Sequence, residues 1–154
     1  MYNYLLRNKD LILNIQVSNK LILLDIPIQR HLNKLLKNQL TNLQVREKTC
    51  KLVFNFKAKI PIYINQDILL MCIKSYRSVD CLYINYHSVN SFSKINKEII
   101  INFVDNHSMK IKDSFTFIEQ MKKCEQIISY IDKESVFNKW IISDLGGKKT
   151  VFLV

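Results

Sequence analysis

The chain has very little glycine and proline. Of its 154 residues only two are glycine and two are proline. Clusters of these residues normally mark linkers and low-complexity segments, so the sequence gives no sign of a domain boundary. It also has no run of about 18 uncharged apolar residues, which predicts the absence of a membrane span. We therefore expect one domain covering residues 1–154, long enough to bury a sizeable core.

The N-terminus lacks the features of a secretory signal. Arg7, Lys9 and Asp10 place charges where a signal peptide needs its apolar core. A cytoplasmic protein is the expectation, and free thiols are the default in that reducing compartment.

Motifs for catalysis and metal binding are also missing. There is no Gly-rich loop, no Cys-x-x-Cys pair and no His-x-x-x-His pair, so no cofactor is expected. Cys72 and Cys81 fall on neighbouring expected strands and are the one conceivable metal pair, but no metal is predicted. A hydrolase using Cys81 and His87 is the remaining enzyme hypothesis. Because Cys81 lies in an apolar strand, where a buried thiol is inert, we predict that the protein is not an enzyme.

Acidic residues are scarce in one half of the chain. The net charge is +10, and residues 1–77 hold 13 Lys and Arg against four acidic residues, a net of +9. Residues 78–154 hold ten against nine, a net of +1. An AT-rich genome would raise the lysine content everywhere, but such a bias does not explain the imbalance. The distribution predicts a polyanionic partner, with nucleic acid as the first hypothesis.

A helix with a basic stripe is predicted near residues 28–40. Asp25 precedes Pro27, an arrangement that starts helices, and apolar residues then recur at helical spacing. Arg30, Lys34 and Lys37 share a separate face of this helix. Such a stripe is typical of a solvated surface, but no acidic residue between positions 25 and 47 balances it. Contact with a phosphate backbone is the alternative interpretation.

The rest of the chain reads as strands followed by a second helix. Residues 45–56 are ambiguous between helix and strand. The expected strands are 2–6, 11–17, 21–24, 59–64, 68–73, 82–86, 98–104 and 109–112. Asp113-Ser114 is a candidate N-cap for an amphipathic helix over residues 114–131. The pattern weakens after Asp132, and residues 133–154 are expected as a looser C-terminal segment whose end, 148–154, is a strand or a tail. The predicted fold class is α+β, a mainly antiparallel sheet with one helix in the N-terminal half and one near the C-terminus.

Residues 59–85 carry the most specific pattern. Two apolar strands flank a polar turn from Lys74 to Asp80, which places Lys74 and Arg77 at an exposed tip. Tyr76 between them is expected to pack back on the strands. This order of elements resembles the ComK family, the competence transcription factors of Gram-positive bacteria. The residues that carry the resemblance are Lys59-Ile60-Pro61-Ile62, Lys74-Ser75, Cys81-x-Tyr83-Ile84, Ile101-Asn-Phe103, Asp105-Asn106, Ser114, Phe117 and Gln120.

The resemblance implies a transcriptional activator of competence genes that binds AT-rich promoter boxes. Binding would use mainly the minor groove and the phosphate backbone, in a cytoplasmic protein associated with the nucleoid when bound. The implied partners are double-stranded AT-rich DNA, further copies of the chain in a dimer or tetramer, and a Clp protease adaptor, with no membrane. The candidate DNA contacts are Arg30, Lys34, Lys37, Arg46, Lys57, Lys59, Lys74 and Arg77, of which Arg46 and Arg77 are expected to enter a groove.

Two departures from the family pattern keep a second hypothesis open. Where the family has glycine, this chain has Val45 and His107. The alternative is a degenerate interaction module that titrates the active factor or its proteolytic adaptor without binding DNA.

Overall fold

A computed structural model describes the backbone of residues 1–145 and the side chains of residues 1–134. The chain groups into two compact units, one from Met1 to Cys124 and one that begins at Glu125. The elements are β1 (Tyr2–Arg7), β2 (Leu13–Val17), β3 (Lys20–Leu24), α1 (Ile28–Lys37), α2 (Leu43–Phe54), β4 (Ile62–Asn65), β5 (Ile68–Lys74), β6 (Leu82–Asn85), a 3₁₀ turn (Tyr86–Ser88), β7 (Val89–Ile95), β8 (Glu98–Phe103), β9 (Ser108–Ile111) and α3 (Ser114–Leu145).

Six strands form one antiparallel sheet in the order β3-β2-β1-β6-β5-β4. The expected strands 2–6, 11–17 and 21–24 form one half of it and the expected strands 59–64, 68–73 and 82–86 form the other, and the halves join where β1 pairs with β6. Side chains alternate between the faces of a strand, so Leu70 and Cys72 of β5 face one way and Met71 and Ile73 the other. All four are buried, and both faces of this strand are therefore covered. The α+β class with antiparallel sheets is confirmed.

Helices α1 and α2 pack on one face of this sheet. Ile28, Leu32 and Leu36 recur on one side of α1 and join the core cluster that contains Leu70 and Tyr83. The predicted start of α1 is confirmed, although Pro27 precedes it and no side chain caps it.

The ambiguous segment 45–56 is a helix for most of its length. The side chain of Asn42 accepts a hydrogen bond from the Val45 amide at 3.0 Å and caps the start of α2. Asn55 ends the helix in the left-handed conformation at φ 58°. The N-terminal half of the chain therefore contains two helices rather than the single one expected.

Strand β4 is shorter than the expected strand 59–64. Lys59 adopts a left-handed conformation at φ 48°, and Pro61 has no amide hydrogen to donate to a neighbouring strand. Pairing with β5 consequently starts only at Ile62.

A second antiparallel sheet has the order β7-β8-β9. The hairpin of β8 and β9 was predicted, whereas β7 was not, because its residues are mostly polar and exposed. The sheet contacts the first one where the rings of Tyr4 and Phe103 lie 5.9 Å apart, and where the Asn3 amide donates to Asp105 at 2.7 Å. Asn106, at φ 71°, takes the turn conformation at the hairpin where the family glycine is replaced by His107.

Helix α3 begins as predicted and runs further than predicted. The Asp113 carboxylate accepts the Thr116 amide at 3.0 Å, which caps the first turn. The helix continues beyond residue 131 to Leu145. The expectation of a strand or tail at 148–154 lies outside the described residues. Within residues 1–145, no helix is both long and apolar enough to cross a membrane.

Candidate nucleic-acid interface

Three of the predicted cations surround an open concavity of about 1330 Å³ beside α1. Arg30, Lys34 and Lys37 line it, and all three are exposed because the opposite side of the helix holds its buried residues. We call these three residues the first cation group. Among the side chains that the structure describes, no acidic group lines this concavity, so none of them offsets the positive charge of its wall.

A buried histidine that sequence reasoning did not select lines the same concavity. Nε2 of His31 lies 3.2 Å from the Tyr2 hydroxyl, and the two rings stack. Burial, reinforced by the charge of Lys34, lowers the pKa of His31. The imidazole is therefore neutral at neutral pH. The sequence feature that could have identified His31 as buried is its position three residues after Ile28, on the buried side of α1.

A smaller concavity of about 340 Å³ contains three more predicted cations. Lys57, Lys59 and Arg77 line it, and we call them the second cation group. Lys51 of α2 also lines it and was missed by sequence reasoning, although it lies six residues before Lys57. Glu47 is part of the same wall, so this surface carries both signs of charge.

Lys59 is held by the first turn of α3. Its ammonium lies 3.1 Å from the Thr116 hydroxyl and 3.9 Å from the Asp113 carboxylate. Its carbonyl oxygen accepts a hydrogen bond from the Gln120 amide at 2.7 Å. Because the ammonium already has an acidic partner, Lys59 is a weaker candidate for contacting a phosphate than its position suggests.

The loop after β5 has the exposed tip that the sequence predicted. Tyr76 packs back as expected: its amide donates to the Tyr83 hydroxyl at 2.9 Å, and its own hydroxyl donates to Glu47 at 3.2 Å. The guanidinium of Arg77 lies over the Tyr76 ring, 5.0 Å from the ring centre. This stacking limits the freedom of Arg77 and leaves its donors exposed.

Lys74 is less available than Arg77. Its ammonium forms an ion pair with Asp80 at 2.6 Å, and that hydrogen bond lowers the pKa of the Asp80 carboxyl. Both side chains are exposed, so water screens the pair. The two charges nevertheless cancel at long range.

Arg46 lies outside both concavities. Its guanidinium sits over the Tyr63 ring of β4 at 5.2 Å from the ring centre, and its buried Nε has no hydrogen-bond partner. An unpaired buried donor costs free energy, and its burial keeps it out of reach of an external acceptor.

The two groups flank α2. Asn42, just before this helix, lines the first concavity, and Lys51 near its end lines the second. Nine residues of helix span about 14 Å. The two concavities therefore lie towards opposite ends of α2.

The thiols are unsuited to catalysis. All four cysteines are buried thiols. Burial raises the pKa of Cys72 to about 11 and also raises the pKa of Cys81. Cys81 has no exposed surface, which counts against a Cys81–His87 nucleophile. Among the described residues, no three His, Cys, Asp or Glu side chains lie close enough together to hold a metal ion.

Comparison with known proteins identifies the family. The model of the ComK protein family matches residues 5–135, which span the elements from β1 into α3. No curated protein and no solved structure gives a significant match. The match confirms the resemblance carried by the strand, turn and helix residues. The chain therefore belongs to the ComK family, a family of competence transcription factors and not of enzymes.

Proposed function

We propose that this protein activates competence genes by binding AT-rich promoter DNA through the minor groove and the phosphate backbone. Narrow A-tract minor grooves concentrate negative potential and attract Arg and Lys without a base code. Family membership supports the regulatory role, and the surface around α2 supports the DNA contact.

The observation that carries the proposal is a set of exposed cations without acidic partners. Among the side chains of residues 1–134, no acidic group lies within ion-pair distance of six of the eight candidates. One of the six, Arg46, is half-buried, and the five exposed ones are Arg30, Lys34, Lys37, Lys57 and Arg77. Cations left unpaired by the protein release counterions when they meet phosphates, which is the main source of affinity for DNA.

Arg77 and Arg46 are the candidates for entering a groove. Arg77 is exposed at a loop tip and supported by the Tyr76 ring, which reduces the entropy lost when its donors are fixed. Arg46 is half-buried, with its guanidinium over the Tyr63 ring, so it would have to move away from this ring to enter a groove. The lysines would neutralise phosphates and set the orientation of the protein on the duplex.

The partners follow from the same proposal. We propose a homo-oligomer, a dimer or tetramer, acting on paired boxes, since symmetric association suits a two-box site. We also propose a cytoplasmic location, nucleoid association in the bound state and recognition by a Clp protease adaptor.

The test is the salt dependence of binding to an AT-rich duplex. Fluorescence anisotropy from about 50 to 200 mM salt should give a linear log–log plot with a slope of about −4 to −5 for five phosphate contacts. A GC-rich duplex of the same length is the control and should bind more weakly. A ligand that occupies the minor groove should compete with the protein.

A second candidate function is supported by the outer surface of α2. Val45, Leu52 and Val53 are exposed there, and Leu52 is 76% exposed. Such residues suit a protein-interaction module that titrates the active factor or its adaptor. Failure to bind at low salt, or an affinity that does not change with salt, would favour this function over DNA binding.

A further inference from the structure

The two edges of the six-stranded sheet differ in whether their backbone groups are covered. At the β4 end, the short strand leaves part of β5 without a strand partner, and Gln120 of α3 fills the gap. Its side-chain oxygen accepts the Cys72 amide at 2.7 Å, and its nitrogen donates to the Lys59 carbonyl at 2.7 Å. The stretch of β5 that extends beyond β4 is thereby closed to further strand pairing.

At the other end, β3 is apolar, and its outer side has no strand partner among residues 1–145. Leu21, Ile22 and Leu23 are 53%, 40% and 59% exposed, so both faces of the strand present apolar side chains. Within residues 1–145, β2 is the sole strand paired with β3. The strand contains no proline, and its pairing with β2 has no bulge, whereas three other pairings in this sheet do. Proteins normally protect an edge strand with a proline, a bulge or inward-facing charges.

The hairpin geometry shows which backbone groups are open. Val17 and Lys20 close a two-residue turn in which Ser18 has φ 52°. In such a hairpin the closing pair exchanges hydrogen bonds, and the hydrogen-bonded pairs then alternate along the strands. Lys20, Ile22 and Leu24 therefore direct their backbone groups towards β2. Leu21 and Leu23 direct theirs outward.

We propose that β3 pairs antiparallel with β3 of a second copy of this chain, which joins two sheets into one of twelve strands. A two-fold axis passing at Ile22 places Leu21 of one copy opposite Leu23 of the other, so the outward backbone groups bond to each other. The ends of the strand carry opposite charges, Lys20 at the start and Asp25 just after the end. Antiparallel pairing brings each Lys20 towards the Asp25 end of its partner, whereas parallel pairing would place like charges together.

This interface goes beyond the proposed DNA contact and stands without it. It also has a geometric consequence for the first cation group. Leu24 and Ile26, which end and follow β3, line the same concavity as Arg30 and Lys34. Pairing at β3 would therefore place two first cation groups on either side of the two-fold axis. Such an arrangement fits two equivalent binding sites on one duplex.

The first test introduces like charges at the proposed axis. The double variant Leu21→Lys/Leu23→Lys places lysines opposite one another in both outer pairs. We expect sedimentation velocity to show a rise of at least about tenfold in the dimer dissociation constant. The matched control is Ile95→Lys/Phe115→Lys, which changes two exposed apolar residues outside the six-stranded sheet and should leave the dissociation constant unchanged.

The second test uses a new cysteine at the axis. Ile22→Cys places two thiols opposite each other in a pair that is not hydrogen-bonded, where the Cα atoms lie about 4.5 Å apart. Mild oxidation should produce a disulfide-linked dimer on a non-reducing gel. Leu52→Cys, which places a thiol at an exposed position of α2, is the control. The four native cysteines are buried and should not cross-link.

The two tests together leave the proposal open to refutation. Loss of the dimer in the lysine variant, with a wild-type circular dichroism spectrum, and cross-linking through residue 22 would both support it. If the lysine variant fails to fold, the cross-link decides alone. A monomeric wild-type protein, or cross-linking no faster through residue 22 than through residue 52, would overturn it. DNA binding is measured separately, so loss of one property is distinguishable from loss of the other.

Discussion

The two cation groups beside α2 differ in how much of their charge the protein itself neutralises. Within the described part of the chain, the first group has no acidic residue in its concavity, whereas the second shares its wall with Glu47 and has Lys59 paired with Asp113. Both looked alike in the sequence, where only the count and spacing of Lys and Arg were visible. The comparison shows that the availability of a cation depends on its folded neighbours, which residue counts do not reveal.

The largest expected effect comes from removing the first group. The triple variant Arg30→Ala/Lys34→Ala/Lys37→Ala should reduce the slope of the salt dependence by about three units, because each lost phosphate contact contributes about 0.9. Anisotropy titrations over a salt series measure this directly.

The matched control for this triple variant is Lys94→Ala/Lys97→Ala/Lys112→Ala. These three lysines are exposed and lie in the half of the chain whose net charge is +1. Their removal lowers the net charge equally. An equal loss of slope in both triple variants would show that total charge, and not the first group, governs binding.

A smaller effect is expected at the loop tip. Lys74→Ala with Arg77→Ala should lower the affinity and reduce the slope by roughly one unit per lost phosphate contact. Most of the change should come from Arg77→Ala alone, since Lys74 is paired with Asp80. Thermal denaturation should show a change in stability below about 0.5 kcal/mol, as is usual for exposed substitutions. Wild-type affinity and slope in the folded double variant would remove the tip from the interface.

Removing the acidic partner of Lys74 should increase the affinity for DNA and the steepness of its salt dependence. Asp80→Asn removes the negative partner and should steepen the salt dependence by less than about one unit. Asp10→Asn serves as the control because it removes an exposed acid from another loop. A gain of affinity that is equal in both variants would point to a general charge effect.

Much of the fold could be predicted because its periodic patterns are strong. The N-terminal hairpins and the meander of β4 to β6 follow from short apolar runs between polar turns. Strand β7 was not predicted because Asn90, Ser91, Ser93 and Lys94 are polar and the strand is exposed for most of its length. Helix α2 stayed ambiguous since several of its apolar residues face solvent, so its apolar residues do not mark a single buried face.

The candidate site was less predictable than the fold. The exposed tip and the packing of Tyr76 followed from the strand–turn–strand pattern. The ion pair and the hydrogen bond that hold Lys59 could not be predicted, because their partners Asp113 and Thr116 are more than 50 residues away in the sequence. Lys51 was missed for a similar reason, since only the fold places α2 beside Arg77.

The smallest predicted effect is the pH dependence of the stability, through His31 in the wall of the first concavity. The pKa of His31 is lowered on folding, so the unfolded chain takes up a proton before the folded one does as the pH falls. Stability should be fully present above the unfolded pKa of about 6.5 and decline as the pH falls towards the lower folded pKa. Chemical denaturation at a series of pH values should show this decline.

His31→Gln should make that pH dependence shallower. The pKa of His87 is also lowered by burial, so some dependence should remain in the variant. His87→Gln is the matched control, and the double variant should be flatter than either single one. A His31→Gln profile parallel to wild type would contradict the assignment.

The side chain of Gln120 also bears on how the protein folds during its own synthesis. It bonds to Lys59 and to Cys72, which precede it by 61 and 48 residues. The ribosome therefore releases β4 and β5 well before the group that completes their edge. During that interval the exposed strand edge resembles the transient edges that make folding intermediates prone to aggregate. The stretch of β5 beyond β4 can be closed only after the start of α3 has emerged, so we expect these two hydrogen bonds to form late in the folding of the sheet.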